Sequence, residues 1–463
     1  MLSNANRWLR GAVPYRDYFQ PFLPGTDIFY SFAIKLFGNS AIIPGLTLTL
    51  LGTLTSVLVF QIARNLLSRS LALLCGLLFL VCPFSASQDA THHWFSTLGI
   101  AGATLALVQG QSRSRLLLAG LLCGLATWFT DAVCVSAIVA ICVWLAWRER
   151  TQGANWKRVA ASVMYLLIPA IILVFGLCGY LVAEAGSSDF FKWAIAYPLK
   201  YYRVDWYNNF QAYFAFLPPH KSVRDLPLFF SFFFVHLALP LVYIIFLVRV
   251  LRSRNIRGQH LGQLMLIEAV GVGLLLPVIP SPTLLRLSTV AFPAVILFVY
   301  LIAQPGTLER MFRAGAWIVA ISLSIAWPLS VQLRQYKVLT LSSGRVEIAD
   351  LNWADSLAWM DGQVHTGETM FGNPPMIFAL GMRNPAPLDF VTPSSSTLPE
   401  QVSGLISSLE TESVQWIVLR PSGLVTRSAD SENRLIPLLK YLHSHYKLVK
   451  VLPTSDEVYE RQR

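Results

Sequence analysis

The sequence predicts an α-helical polytopic membrane protein of about ten transmembrane helices, with a small C-terminal α/β domain on the non-cytoplasmic side. Three observations predict it. Hydrophobic residues make up 54% of the 463 residues and charged residues only 13%, against roughly 25% charged in soluble domains. Ten long apolar runs follow one another between residues 41 and 331. From Gln335 onward the hydropathy falls and short strand and helix patterns replace the long runs. The organisation expected is an external segment over 1–40 with juxtamembrane helices, a membrane domain over 41–334 and an external α/β domain over 335–463.

The runs lie near 41–63, 71–84, 94–109, 116–130, 132–147, 159–183, 227–248, 261–280, 287–303 and 314–331. A perpendicular span takes about 20 residues, so the shorter runs imply tilt or partial burial. The stretch 116–147 is too long for one span and is basic at both ends (Arg113, Arg115; Arg148, Arg150). Both ends therefore belong on one side, which forces a hairpin turning near Thr130–Asp131. Arg64, Arg69, Lys157, Arg158, Arg249, Arg252, Arg254, Arg257, Arg310 and Arg313 fall on that same side, which the positive-inside rule makes cytoplasmic.

Residues 1–334 hold 25 basic against 11 acidic side chains, and 335–463 hold 11 against 14. The basic excess thus belongs to the membrane part and reports topology; no nucleic-acid partner is implied. Eight of the eleven membrane-part acids (Asp17, Asp27, Asp89, Asp131, Glu184, Asp189, Asp205, Asp225) fall on the opposite, outer side. Acids hardly influence topology, so their enrichment there marks a face where chemistry can occur. The 184–226 loop carries Phe190, Phe191, Trp193, Tyr197, Tyr201, Tyr202, Trp206 and Tyr207. Rings at headgroup level form an ordinary interfacial belt, and a sugar-stacking platform is the other reading.

All six cysteines sit in apolar runs without metal-ligand spacing, and read as small packing residues. In the C-terminal domain, Thr369–Phe371 and Val414–Leu419 read as strands with an amphipathic helix over Leu398–Leu409 between them. A second helix over Arg434–Tyr446 precedes closing strands at Lys447–Leu452 and Glu457–Arg461. No glycine-rich phosphate loop or nucleophile elbow is visible.

The N-terminal segment reads GAVPYRDYFQPFLPG over Gly11–Gly25, then FYSFAIKLFGNS over Phe29–Ser40. It resembles the first external loop of the C-type glycosyltransferase superfamily, which includes protein O-mannosyltransferases and lipid A aminoarabinose transferases. Pro14, Tyr15, Asp17, Tyr18, Phe19, Pro24, Gly25, Leu36, Phe37, Gly38 and Ser40 carry the resemblance, and GMRNPAPLDF (Gly381–Phe390) is similar to the external tail of bacterial members. The resemblance implies a membrane glycosyltransferase in a bacterial inner (plasma) membrane. Such an enzyme moves a sugar from a polyprenyl-phosphate donor to a lipid, glycan or protein acceptor on the outer face. Membrane lipids are further partners; the cofactor is left open, a divalent metal held by a carboxylate being the candidate. Because the donor is a lipid, no nucleotide-binding motif is needed.

A carboxylate at the water–lipid boundary can act as general base or hold a metal, and cations can neutralise a phosphate leaving group. Asp17 and Asp89 are the candidate catalytic acids. Asp17 equally reads as a loop residue fixing a turn. Tyr15, Arg16, His92, His93 and Arg286 are the candidate substrate-binding residues. Arg16 meets phosphate or pairs with Asp17; His92 and His93 are adjacent and are expected to diverge on a helix. Arg286 stands at the outer start of a span, where it serves a donor phosphate or snorkels to headgroups. Asp131 departs from relatives, which often carry Lys at this hairpin turn. Glu268 lies within a span, where a charge is either functional or packed against a polar neighbour.

A flippase or small-molecule transporter is the competing class, but it calls for internal repeats, and no convincing repeat is present. A catalytically dead relative is the third reading. Residues 1–40 carry Arg7, Arg10, Arg16 and Lys35 with no apolar run before them, and such charges resist export. The resemblance therefore implies an upstream segment of about 20 apolar residues followed by an acidic pair.

Overall fold

The computed structural model describes residues 1–201, 208–215, 225–252, 260–392, 396–420 and 433–462. Of the residues singled out above, Tyr202, Asp205, Trp206, Tyr207, Arg254 and Arg257 lie outside them. The chain forms two compact units: Leu46–Tyr180 with Asn209–Leu333, and Met1–Gly45 with Leu181–Asn208 and Arg334–Arg463.

The first is helical, and each of the ten apolar runs is largely helix, the run at 287–303 being split between Leu284–Thr289 and Phe292–Ile302. Ile42–Arg64, Asp131–Thr151, Trp156–Ala185, Leu226–Arg252 and Thr307–Gln332 are each long and apolar enough to cross a membrane, joined by the shorter apolar helices Arg69–Phe84, Leu261–Leu275 and Phe292–Ile302. His92–Val108 and Arg113–Thr127 complete the set. The stretch 116–147 breaks at residues 128–130 before Asp131 opens the next helix. Shortness elsewhere has local causes: Pro83 sits in a π-helical segment at Leu80–Phe84, where the i−4 hydrogen bond is lost.

Lipid tails are as apolar as leucine, so helices in a bilayer associate where small side chains let backbones approach. Gly120 and Gly124, one turn apart, do this. A Cβ built on Gly120 would lie 2.0 Å from the Leu166 carbonyl oxygen, and one on Gly124 would lie 2.9 Å from Ala170 Cα. The six cysteines are free and half-buried to buried, as packing residues should be.

The basic loops converge on one end of this unit. Arg249 pairs with Glu309 at 3.8 Å and Arg158 with Glu149 at 3.0 Å, so these two acids among the basic loops are neutralised locally. Gln263 donates to the Val108 carbonyl at 2.8 Å, and Trp144 to the Gly262 carbonyl at 2.7 Å.

The second unit joins the C-terminal residues to the N-terminal segment. A hairpin of β1 (Lys337–Leu341) and β2 (Gly344–Ile348) precedes a four-stranded sheet. That sheet has β3 (Met370–Phe371), β4 (Trp416–Leu419), β5 (Tyr446–Val451) and β6 (Glu457–Arg461) in the order β3-β4-β6-β5. β3 and β4 are parallel and the other pairs antiparallel. Strand side chains alternate faces. Phe371, Ile417 and Leu419 accordingly pack under the helices Pro399–Thr411 and Ile436–His445, through Val402, Leu405, Leu409, Leu438 and Leu442. Met370, Trp416 and Val418 meet Leu357, Met360 and Met376 on the other face. The N-terminal helix Leu2–Leu9 is clasped by the 384–389 loop. Arg7 donates to the carbonyls of Ala386 at 2.6 Å and Leu388 at 3.2 Å, and pairs with Asp389 at 3.0 Å.

Candidate functional site

In the second unit, the Gly11–Gly25 segment folds into a tight turn. Asp17 N–H donates to the Val13 carbonyl and Tyr15 N–H to the Tyr18 carbonyl, both at 2.9 Å. Tyr15 is held at φ +69°, a left-handed conformation uncommon for a bulky residue and a mark of backbone strain. Its hydroxyl donates to the Phe22 carbonyl at 2.7 Å and its ring meets Phe190 edge-on. The turn presents Arg16 and Asp17 to solvent. Arg16 donates through Nε to Asp17 Oδ1 at 2.9 Å and through Nη2 to Oδ2 at 2.8 Å, a bidentate fork. The Val13 N–H also donates to the Asp17 carboxylate, at 2.8 Å. Asp17 thus fixes the turn, and it also remains an ionised, accessible group. The Arg16 hydrogen bonds hold its carboxyl below the usual carboxylate range, reinforced by the Val13 N–H.

Beside this turn a pocket of about 260 Å³ is lined by Tyr15, Arg16, Phe19, Lys192, Trp193 and Glu400. That is just under the roughly 300–1,000 Å³ of sites for drug-sized ligands, a size for one polar ring. Lys192 pairs with Glu400 at 2.8 Å and lies over the Trp193 ring. Phe19 meets Trp193 and Tyr197 edge-on. Part of the aromatic loop therefore packs on the Asp17 segment. Sequence reasoning singled out neither Lys192 nor Glu400, since only the fold brings them together.

In the helical unit, His92 opens the helix His92–Val108 and is followed by His93. Their rings do not diverge: the centroids are 4.1 Å apart. At a helix start the first residue's side chain is not committed to the outward splay of an interior turn, which corrects the expectation. Arg286 lies in the short helix Leu284–Thr289, capped by Thr283 Oγ1, which accepts from Arg286 N–H at 3.3 Å. Its guanidinium donates to the Ser281 carbonyl at 3.2 Å and to the Ser281 hydroxyl, and stands within electrostatic range of both imidazoles. The Thr97 hydroxyl ties the two helices by donating to the Thr289 carbonyl at 2.7 Å. Residues separated by nearly two hundred positions thus form one cluster of nitrogen donors. Asp89 is exposed in the loop before this helix. Asp131 accepts from the Ala132 N–H at 2.6 Å. Glu268 is buried, with Tyr243 as its electrostatic neighbour.

Among the described residues no group of three or more His, Cys, Asp or Glu side chains is placed to hold a metal ion.

A family profile described as dolichyl-phosphate-mannose-protein mannosyltransferase matches residues 20–184. ArnT from Cupriavidus metallidurans bound to undecaprenyl phosphate matches in structure with a TM-score of 0.61 at 13% identity, covering 99% of this chain and 92% of that one. The fold is that of the C-type glycosyltransferases. The apo state of that ArnT gives 0.59 at 11% identity, over 99% and 91%. An oligosaccharyltransferase from Archaeoglobus fulgidus, in complex with Zn and sulfate, gives 0.48 at 12% identity, over 90% and 62%. No curated protein matches in sequence. With this C-type glycosyltransferase fold and its long apolar helices, the chain is a multi-pass membrane protein.

Proposed function

We propose that the chain moves a sugar from a polyprenyl-phosphate donor to an acceptor hydroxyl at the outer face of a bacterial inner membrane. The observation that carries this reading is the convergence of Arg286 with His92 and His93 at one end of the helical unit. The likeness in fold to an ArnT bound to undecaprenyl phosphate supports it. In the transfer, the bond between the sugar's anomeric carbon and the phosphate oxygen breaks and a bond to the acceptor oxygen forms. Negative charge grows on the departing lipid phosphate, where the guanidinium of Arg286 neutralises it by charge-assisted hydrogen bonds. The acceptor proton passes to a carboxylate, for which Asp17 and Asp89 are the exposed acids. Tyr15 and Arg16, with the pocket beside them, suit the polar ring of a sugar or acceptor.

Binding of undecaprenyl phosphate to the purified full chain tests the donor site without knowledge of the sugar. Arg286→Ala is expected to weaken it roughly ten- to hundredfold, the loss of a hydrogen bond to a charged group. Unchanged binding would return Arg286 to a snorkelling role and overturn the assignment.

A further inference from the structure

The basic end of the helical unit holds a second cavity, which takes no part in the transfer reading. About 380 Å³ in volume, it opens between the start of the Arg69–Phe79 helix and the first turns of Thr307–Gln332. Ser68 and Ser70 line one wall, and Arg310, Arg313 and Trp317 the other. Arg310 and Arg313 are three residues apart on one helix and so share a face. Each is steadied by a backbone carbonyl: Arg310 Nε donates to Gly306 at 3.3 Å, and Arg313 Nη1 to Ala303 at 3.3 Å. A guanidinium has five N–H donors, so these single bonds leave most of each fork for an anion. The Ser68 and Ser70 hydroxyls hydrogen-bond to each other at 3.3 Å, which leaves one of the two O–H groups to donate into the cavity. No carboxylate lines the cavity; the nearby Glu309 is drawn to Arg249.

The surface below the cavity distinguishes a lipid from a soluble anion. Trp317 sits one turn deeper than Arg313, as an indole does at headgroup level. Ile321 and Ile325 continue the same face at i+4 and i+8, exposed by 52% and 63%. Leu73, one turn after Arg69 on the helix that follows Ser68, is 53% exposed as well. A cationic, hydroxyl-bearing mouth thus opens onto a strip that only hydrocarbon suits. We propose that this cavity binds the phosphate headgroup of an anionic phospholipid, with the acyl chains lying along Ile321 and Ile325. Basic pockets between transmembrane helices on the cytoplasmic side recognise such headgroups by the same chemistry.

The full chain in nanodiscs of phosphatidylcholine, with and without phosphatidylglycerol, provides the test. The thermal midpoint is read in parallel with the lipids retained after detergent extraction. Phosphatidylglycerol should raise the midpoint and be retained. The double variant Arg310→Gln/Arg313→Gln should retain it about thirtyfold less tightly, the factor expected for two arginines at an anionic leaflet. Equal effects of the two lipids on the wild type, or a double variant that retains phosphatidylglycerol as the wild type does, would overturn the proposal. Glycerol phosphate, the headgroup without chains, should shift the midpoint little; a shift as large as the lipid's would identify a soluble-anion site instead. Should the double variant fail to fold, Trp317→Ala with both arginines intact is expected to reduce retention, and unaltered retention there would count against the lipid.

Discussion

Arg7→Ala should unfold the second unit well before the wild type. Arg7 is 8% exposed and donates to the Ala386 and Leu388 carbonyls, to the Asn384 carbonyl at 3.4 Å and to Asn4 Oδ1 at 2.9 Å. Its partner Asp389 has a side-chain exposure of only 13%. Removing the guanidinium strands a buried carboxylate, and breaking such a pair from one side costs about 3–5 kcal/mol. The unit spans about 200 residues, for which each kcal/mol moves the melting midpoint by roughly 2–4 °C. The expected loss is therefore roughly 6–20 °C, read by intrinsic tryptophan fluorescence during heating in detergent. Arg7→Lys keeps the charge but not the planar fork, and should fall between the two. A midpoint for Arg7→Ala within about 2 °C of wild type would show that the clasp does not hold the N-terminal helix.

Asp17→Asn should cut sugar transfer by more than tenfold, and by about 10²–10⁴-fold where the carboxylate takes the acceptor proton. Thermal stability should barely change, because an amide oxygen can still accept the Val13 N–H. Since Arg16 holds Asp17 ionised to unusually low pH, its share of the activity should persist as pH falls, and disappear only below the ordinary carboxylate value of about 3.9. An Asp17-dependent loss between pH 5 and 7 would contradict this. Gly120→Val should lower the midpoint and yield of the helical unit, because even a Cβ meets the Leu166 carbonyl at 2.0 Å and Pro169 Cγ at 2.7 Å; overpacking of this kind costs about 1–3 kcal/mol or more. Gly176→Ala, with nothing within 4 Å, is the matched control and should be silent.

The helical scaffold was legible because the bilayer imposes its demand residue by residue: the apolar runs are largely helix, and the charges on 116–147 called for a turn near Thr130–Asp131, where the break at 128–130 ends. The strand Val414–Leu419 was legible for a similar reason, since Trp416–Leu419 is buried throughout. The hairpin of β1 and β2 was not. Half of its residues are exposed and only Leu341 is buried, so no apolar run marks it. The role of Arg7 was hidden for a different reason. In the sequence it counts only as one of four charges that resist export, and the return of the chain at 384–389, some 380 residues later, makes it a buried clasp. Lys192 with Glu400, and Arg286 with His92, were hidden in the same way. Local pattern identifies an element, whereas pairing across hundreds of residues is set by how elements pack.

That packing leaves one buried carboxylate poorly offset, with a consequence for pH. Arg7, Asp389, Asp27 and the amino group of Met1 share one region, and the two cations do not offset the burial of Asp27. Arg7 is committed to Asp389. Asp27 is fully buried with no close hydrogen bond to either oxygen, although the Asn4 side chain is near. Burial, aided by the Asp389 charge, pushes its carboxyl up to about 7. The ordinary value is about 3.9, so between the two the folded state holds a proton that the unfolded chain has released. Stability is then greatest below about pH 4 on this group's account, and declines as pH rises towards 7, at up to about 1.4 kcal/mol per pH unit. Asp27→Asn supplies a permanently neutral isostere. It should melt close to wild type below about pH 4 and distinctly higher at pH 8, with the difference opening between about pH 4 and 7. A difference that stays constant across that range would mean that Asp27 is ionised in the fold, with a counter-charge other than Arg7.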